Sequence, residues 1–189
     1  MKKIGIVIIV IVAIVAVLAF TLIGSYNKMV TLQENVDNAS ANIETALQRR
    51  MDLIPNLVNT VKGFTSHENE AIDKVTTARE KLAGAGSIEE KSAANDELTK
   101  SLNNLLVIVE NYPDLKSSAN FTQLADELAG SENRIAVARR EYNDAVTNLN
   151  TTIKKFPNNM LAGMFGIQKA NYFEAQEEAN KVPTVNFNE

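Results

Sequence analysis

Residues 4–23 read IGIVIIVIVAIVAVLAFTLI, twenty consecutive positions of which only Gly5 and Thr21 are not hydrophobic. At the helical rise of about 1.5 Å per residue such a run covers about 30 Å, the thickness of a bilayer's hydrocarbon layer. The stretch therefore predicts a membrane-spanning helix. A cleaved signal peptide competes with that reading, since Lys2 and Lys3 make a basic start and Val17-Leu18-Ala19 loosely fits a small-residue cleavage site. The apolar run continues past Ala19, which favours the span. No cysteine follows it, so a lipid-modified N-terminal cysteine is excluded. Lys2, Lys3 and the terminal amine precede the run, whereas Lys28 follows in the company of Glu34 and Asp37. This bias predicts a cytoplasmic N-terminus and an outward-facing remainder.

Beyond residue 24 lie 165 residues, enough for one domain with a sizeable core. Without Lys2 and Lys3, the chain's nineteen basic residues become seventeen against twenty-three acidic ones, a balance of −6. Such a surface lacks the concentrated positive field that phosphate binding requires, so no nucleic-acid partner is expected. The absence of cysteine removes disulfides and thiolate metal sites and leaves the compartment open.

Helical spacing organises the remainder of the chain. Met29, Leu32, Val36, Ile43, Leu47, Ile54, Leu57 and Val61 recur at three, four or seven residues and predict a helix over about 26–62, kinked at Pro55 and ended by Gly63. Thr65 with Glu68 reads as a capping box for a second helix carrying Ile72, Val75, Ala78 and Leu82, which stops at Gly84-Ala85-Gly86. Ser87 with Glu90 opens a third, with Leu98, Leu102, Leu105 and Val109 on its stripe. Asn120 with Gln123 opens a fourth, which runs through Leu124, Leu128, Ile135, Ala138, Tyr142, Val146, Leu149, Ile153 and Phe156 to Pro157. No useful stretch alternates with period two, so strands are not expected. The fold class is all-α: an N-terminal transmembrane helix (1–24, span 4–23), an antiparallel up-and-down four-helix bundle (25–157) and a short helical C-terminal tail (158–189) packed on it.

The second and third helices are shorter than the first and fourth, which leaves part of the long pair uncovered. Met160, Leu161, Ala162, Met164, Phe165 and Ile167 form an apolar cluster with two surfaces open to it, that gap and the lipid interface. The gap is favoured, because an interfacial helix usually carries Lys and Arg on its polar face, whereas this region offers Lys169 and Lys181 against Glu174, Glu177 and Glu178. A helix over about 158–164 and another over about 168–181 are expected, with Tyr172 and Phe173 turned toward the long pair and an extended end from Pro183.

Two blocks of residues have a familiar look. Arg49-Arg50-Met51-Asp52-Leu53-Ile54-Pro55-Asn56-Leu57-Val58, followed by Val61-Lys62-Gly63-Phe64 and His67-Glu68, resembles the signature of the LemA family. Tyr112-Pro113-Asp114-Leu115, the run 132–143 (ENRIAVARREYN), Phe156-Pro157 and Tyr172-Phe173-Glu174-Ala175 are similar to the rest of that pattern in order and spacing. The resemblance implies an N-terminal membrane helix, a helical bundle and a bacterial envelope setting, one relative being associated with magnetosome membranes. It names no reaction. Ser40 stands after Ala39 where members commonly carry an aromatic residue.

Few groups are available for chemistry. A di-iron bundle needs Glu-x-x-His on two helices, whereas His67 is the chain's one histidine and has Phe64 three residues before it. No metal or cofactor is expected, and His67 reads as a surface or capping residue. A Ser-His arrangement would have to use that same histidine at a helix end. Neither Gly84-Ala85-Gly86 nor Gly163-Met164-Phe165-Gly166 follows a strand or precedes a phosphate-loop lysine, so both read as turns. The chain is not expected to be an enzyme.

Arg50 and Arg139 are the polar residues that interrupt apolar stripes. Each could pack its stem along the seam with its guanidinium in water. If Lys62 and Phe121 lie near one level, however, the antiparallel long helices set Arg50 opposite Glu132 and Glu44 opposite Arg139. These four are candidate structural ion-pair residues. The favoured expectation is a non-enzymatic, membrane-anchored scaffold or adaptor, held in the lipid bilayer through 4–23 and presenting its bundle to other envelope proteins. The alternative is a ligand-binding envelope sensor that transmits through a helix continuous with the span.

Overall fold

The computed structural model describes residues 2–65 and 67–174. Helices are the only regular secondary structure among them: α1 (Lys2–Phe64), α2 (Asn69–Gly84), α3 (Ile88–Val109), α4 (Pro113–Lys116), α5 (Ala119–Lys154) and α6 (Asn158–Phe165). The predicted span and the first predicted bundle helix are one element of 63 residues. Gly24 and Ser25 do not interrupt it, because one glycine costs about 1 kcal/mol of helix propensity and no proline follows to enforce a stop. α1 is also the one helix long and apolar enough to cross a membrane among the described residues, with a window of mean hydropathy 3.5. Every side chain from Ile4 to Ile23 is exposed.

Pro55 lies inside α1 with its ring toward solvent. Its missing N–H leaves the carbonyl of Met51, four residues earlier, without its helical donor. Arg79 of α2 supplies one: its Nε–H donates to the Met51 oxygen at 2.9 Å.

The chain forms two compact units, Met1–Ala39 with Asn143–Ala170, and Ser40–Tyr142 with the described residues 171–174. In the first unit the buried apolar residues are Met29, Val36 and Ala39 of α1, Val146, Leu149 and Ile153 of α5, and Leu161 and Ala162 of α6. In the second, α1, α2, α3 and α5 each contribute one stripe, led by Ile43, Ile54 and Leu57, by Ile72 and Val75, by Leu98 and Leu105, and by Leu128 and Ile135. Leu115 of α4 and Phe173 close this core at 0% and 1% exposure.

Helix starts follow local hydrogen bonding. The Ser87–Glu90 box forms in full, with the Glu90 N–H donating to Ser87 Oγ at 3.1 Å and the Ser87 N–H to Glu90 Oε2 at 3.1 Å. The expected Thr65–Glu68 box does not form: α2 begins at Asn69 with no side-chain cap. Both residues turn instead to Tyr112, whose hydroxyl donates to Glu68 Oε1 at 2.7 Å and accepts from Thr65 Oγ1 at 3.3 Å. At α5 the Phe121 N–H donates to Ser118 Oγ at 3.3 Å, so the cap precedes the expected Asn120.

The tail departs from expectation after α6, which ends at Gly166 with φ 72°, a left-handed residue whose conformation favours glycine. Residues 167–174 form no helix, and the remainder of the expected helix to Lys181, with the extended end from Pro183, lies outside the described residues. The backbone of 167–174 bonds to side chains. Asn150 pairs with both the N–H and the carbonyl of Ala170, at 3.0 and 2.8 Å. In the second unit the Tyr142 hydroxyl donates to the Asn171 oxygen at 2.9 Å, and Ser92 Oγ to the Glu174 oxygen at 3.2 Å. Phe173 is buried while Tyr172 stays 44% exposed, against the expectation that both face inward. Phe156, expected on the buried stripe, is 81% exposed.

Candidate functional site

Arg50 is the most deeply buried charged residue of the second unit, at 4% exposure. It occupies α1 between Leu47 and Ile54, on the face that the apolar spacing commits to the core, so its guanidinium must find partners inside. α3 offers two, one turn apart. Nη1 donates to Asn95 Oδ1 at 2.6 Å and to Thr99 Oγ1 at 2.9 Å. Glu132 of α5 supplies the countercharge, with Oε2 at 2.8 Å from the same nitrogen. Burial lowers the guanidinium's pKa, and the charges of Glu132 and Asp96 oppose that shift. The arginine remains a cation, since its ordinary value lies far above neutrality.

One donor of this cluster, Arg50 Nε, is buried without a partner. A cleft of about 190 Å³ adjoins it, bordered by Arg50, Thr99, Leu102, Leu106, Leu128 and Glu132. The Glu132 side chain is 42% exposed against 5% for Arg50, so the pair runs from the core to the surface.

The structure brings Arg50 and Glu132 together but does not bring Glu44 to Arg139. Glu44 pairs with Lys91 of α3, and no ion pair of Arg139 occurs among the described residues. Helix geometry supplies the reason. Arg50 and Glu44 are six positions apart, about 120° around the helix at 100° per residue, so they cannot both face one neighbour. Glu132 and Arg139, seven apart, do share a face. A second α1–α5 contact instead joins Arg49 to Glu127 at 2.6 Å. Arg49 borders three adjoining shallow depressions on that outer surface, reaching from Asn42 and Thr45 to Asn56 and Gln123.

His67 is exposed between α1 and α2, and its backbone N–H donates to Thr65 Oγ1 at 3.3 Å. Among the described residues no group of three or more His, Cys, Asp or Glu is arranged to hold a metal ion. Sequence reasoning did not find Asn95, Thr99 or Arg79. Asn95 and Thr99 do carry a signal, being polar residues on the same α3 face as Leu98 and Leu102.

These features define an all-helical protein with one candidate membrane span and a buried arginine cluster joining three helices. The sequence model of the LemA family matches residues 39–187, and the chain belongs to the LemA family. It is 30% identical to Protein LemA of Metamycoplasma hominis, over 84% of this chain and 73% of that protein. It is also 28% identical to Magnetosome protein MamQ 2 of Paramagnetospirillum magneticum, over 89% and 72%. With Magnetosome protein MamQ of Magnetospirillum gryphiswaldense the identity is 26%, over 87% and 70%.

Proposed function

We propose that the protein is a non-catalytic, membrane-anchored helical scaffold of the bacterial envelope. Residues 1–24 anchor it in the lipid bilayer, 25–157 form an antiparallel four-helix bundle facing outward, and the described part of the tail, 158–174, packs on the helices of that bundle. The observation that carries the reading is the continuity of α1, in which twenty exposed residues, eighteen of them hydrophobic, pass without a break into a helix with a regular buried stripe. The Arg50 cluster supports it as a register device. Its charges are spent on Asn95, Thr99 and Glu132, and a buried ionic group of this kind specifies which helices meet more than it adds stability. The outer α1–α5 surface around Arg49 is where another envelope protein would dock.

The direct test is photocrosslinking in intact cells from probes placed at Asn42, Thr45 and Gln123, with a probe at Lys74 of α2 as the control. Recovery of the same partner from the α1–α5 positions and not from the control is expected. Equal recovery from all four, or from none, would overturn the scaffold reading. A sensor is the second reading, favoured by the cleft beside Arg50. Under it, an envelope metabolite binding the folded state raises the melting temperature by mass action, and the Leu106→Trp change that fills the cleft abolishes that rise.

A further inference from the structure

α6 has two unlike faces. Leu161 and Ala162 are buried at 7% and 6%, whereas Met160 and Met164 are 62% and 77% exposed. The two methionines are one turn apart and project together. Phe156, just before the helix, adds an exposed ring at 81%. The helix is held at a defined level of its own unit, because the Phe165 ring packs against Tyr26 with centroids 4.6 Å apart. Tyr26 is the third residue beyond Ile23, where the apolar run of α1 ends. The exposed methionines therefore sit where α1 would leave the hydrocarbon.

The charged residues nearest in sequence to α6 and to Tyr26 are lysines. Lys28, Lys154, Lys155 and Lys169 are all exposed, and no Asp or Glu occurs between residues 145 and 170. Apolar side chains flanked by lysines, with a tyrosine at the same depth, match the composition of helices that lie in a membrane interface. A second protein copy is a poorer fit: three side chains present on the order of 500 Å² at most, short of the roughly 800 Å² per partner in a stable interface.

We propose that Phe156, Met160 and Met164 enter the headgroup–acyl boundary of the leaflet that α1 leaves, with the four lysines drawing anionic headgroups. α6 is then a second membrane contact that fixes the first unit against the bilayer surface while Leu161 and Ala162 face protein. The proposal rests on residues 4–23 crossing a bilayer, and the experiment separates the two.

The chain contains no tryptophan, so single-tryptophan variants of the full-length protein report on one position each. Met164→Trp, Phe20→Trp and Val137→Trp are reconstituted into phosphatidylcholine vesicles with and without one third phosphatidylglycerol, using lipids brominated at shallow or central acyl positions. Met164→Trp is expected to emit at short wavelength and to be quenched at least twofold by shallow bromines, with acrylamide access at least threefold below that of Val137→Trp. Phosphatidylglycerol should reduce that access further, and Lys154→Gln with Lys155→Gln should erase the difference. Water-like emission with acrylamide access equal to Val137→Trp would overturn the proposal. So would short-wavelength emission without bromine quenching, which would mean that protein covers the face. Phe20→Trp reports the span alone: quenching there by central bromines with none at Met164→Trp refutes the α6 contact and leaves the anchor standing, whereas failure at Phe20→Trp refutes both.

Discussion

Two stretches of α1 put the same helical backbone into different surroundings. Residues 4–23 are apolar on every side and no side chain there is buried; residues 43–61 carry apolar residues every three or four positions, and these are buried against α2, α3 and α5. A helix apolar all round needs an apolar medium, and one with a single apolar stripe makes its own with neighbouring helices. Charge separates them most clearly. Arg50 is tolerated in the second stretch because Asn95, Thr99 and Glu132 meet it; the described chain supplies no such partners to residues 4–23.

The largest expected effect comes from that contrast. Arginines at Val10 and Ile14 together should cost about 5–7 kcal/mol of membrane insertion, comparable with what the whole apolar run contributes. The double variant should become extractable from membranes by alkaline carbonate. If it stayed in the pellet like the parent protein, the two stretches of α1 would not differ in their surroundings as proposed.

The second stretch should break differently. Leu57, at 0% exposure, lies in the core, and Leu57→Ala should lower unfolding stability by about 2–5 kcal/mol through lost contacts and a cavity. Leu18→Ala in the first stretch should leave the unfolding free energy within about 0.5 kcal/mol of the parent. Chemical denaturation in detergent measures both, and equal losses would erase the distinction.

Most helices were legible in the sequence because apolar spacing and turn residues act locally. The stripes of α2, α3 and α5 and the Ser87–Glu90 box needed no knowledge of the partners. What was not legible depended on which face meets which neighbour. Arg50 stands out as a charge in an apolar stripe, yet nothing near it in sequence names Asn95 or Thr99. The Glu44–Arg139 expectation fell on angular phase: α1 turns Glu44 toward Lys91 of α3. Thr65 and Glu68 satisfy the spacing of a capping box but are drawn to Tyr112 of a distant segment. The helix expected over 168–181 was likewise forestalled, in its described part, by Asn150, Tyr142 and Ser92 bonding to the backbone.

The ion pairs of α1 sharpen the comparison at smaller scale. Glu132→Ala should cost about 1–3 kcal/mol, because it strips the countercharge from a guanidinium whose side chain is 5% exposed. The half-open carboxylate and the remaining bonds to Asn95 and Thr99 keep this below the 3–5 kcal/mol typical of a fully buried pair. Glu44→Ala, whose carboxylate is 54% exposed, should cost less than about 1 kcal/mol. Equal effects of the two changes would mean that burial of Arg50 carries no energetic weight.

The smallest expected effect is a coupling, and it concerns how the second stretch of α1 accommodates Pro55. A proline in a helix interior withholds one donor, and the acceptor left over is the carbonyl four residues back. That acceptor is Met51, in the buried part of α1, where water competes poorly for it. Arg79 Nε meets it at 2.9 Å from α2, so the interruption within one helix becomes a bond between two. Arg79→Met, which keeps most of the apolar stem, should then cost about 1–2 kcal/mol, chiefly by leaving the Met51 oxygen unsatisfied. Pro55→Ala restores a backbone N–H at position 55 and gives that oxygen its helical donor. In the Pro55→Ala background, Arg79→Met should therefore cost less than about 0.5 kcal/mol, and the double-mutant cycle should yield a coupling of about 1 kcal/mol. If Arg79→Met cost the same in both backgrounds, the arginine would be acting through its stem or its charge rather than through the carbonyl. A nonzero coupling of this sign is hard to obtain otherwise, since the Pro55 side chain points to solvent and communicates with Arg79 only through the backbone bond it fails to make.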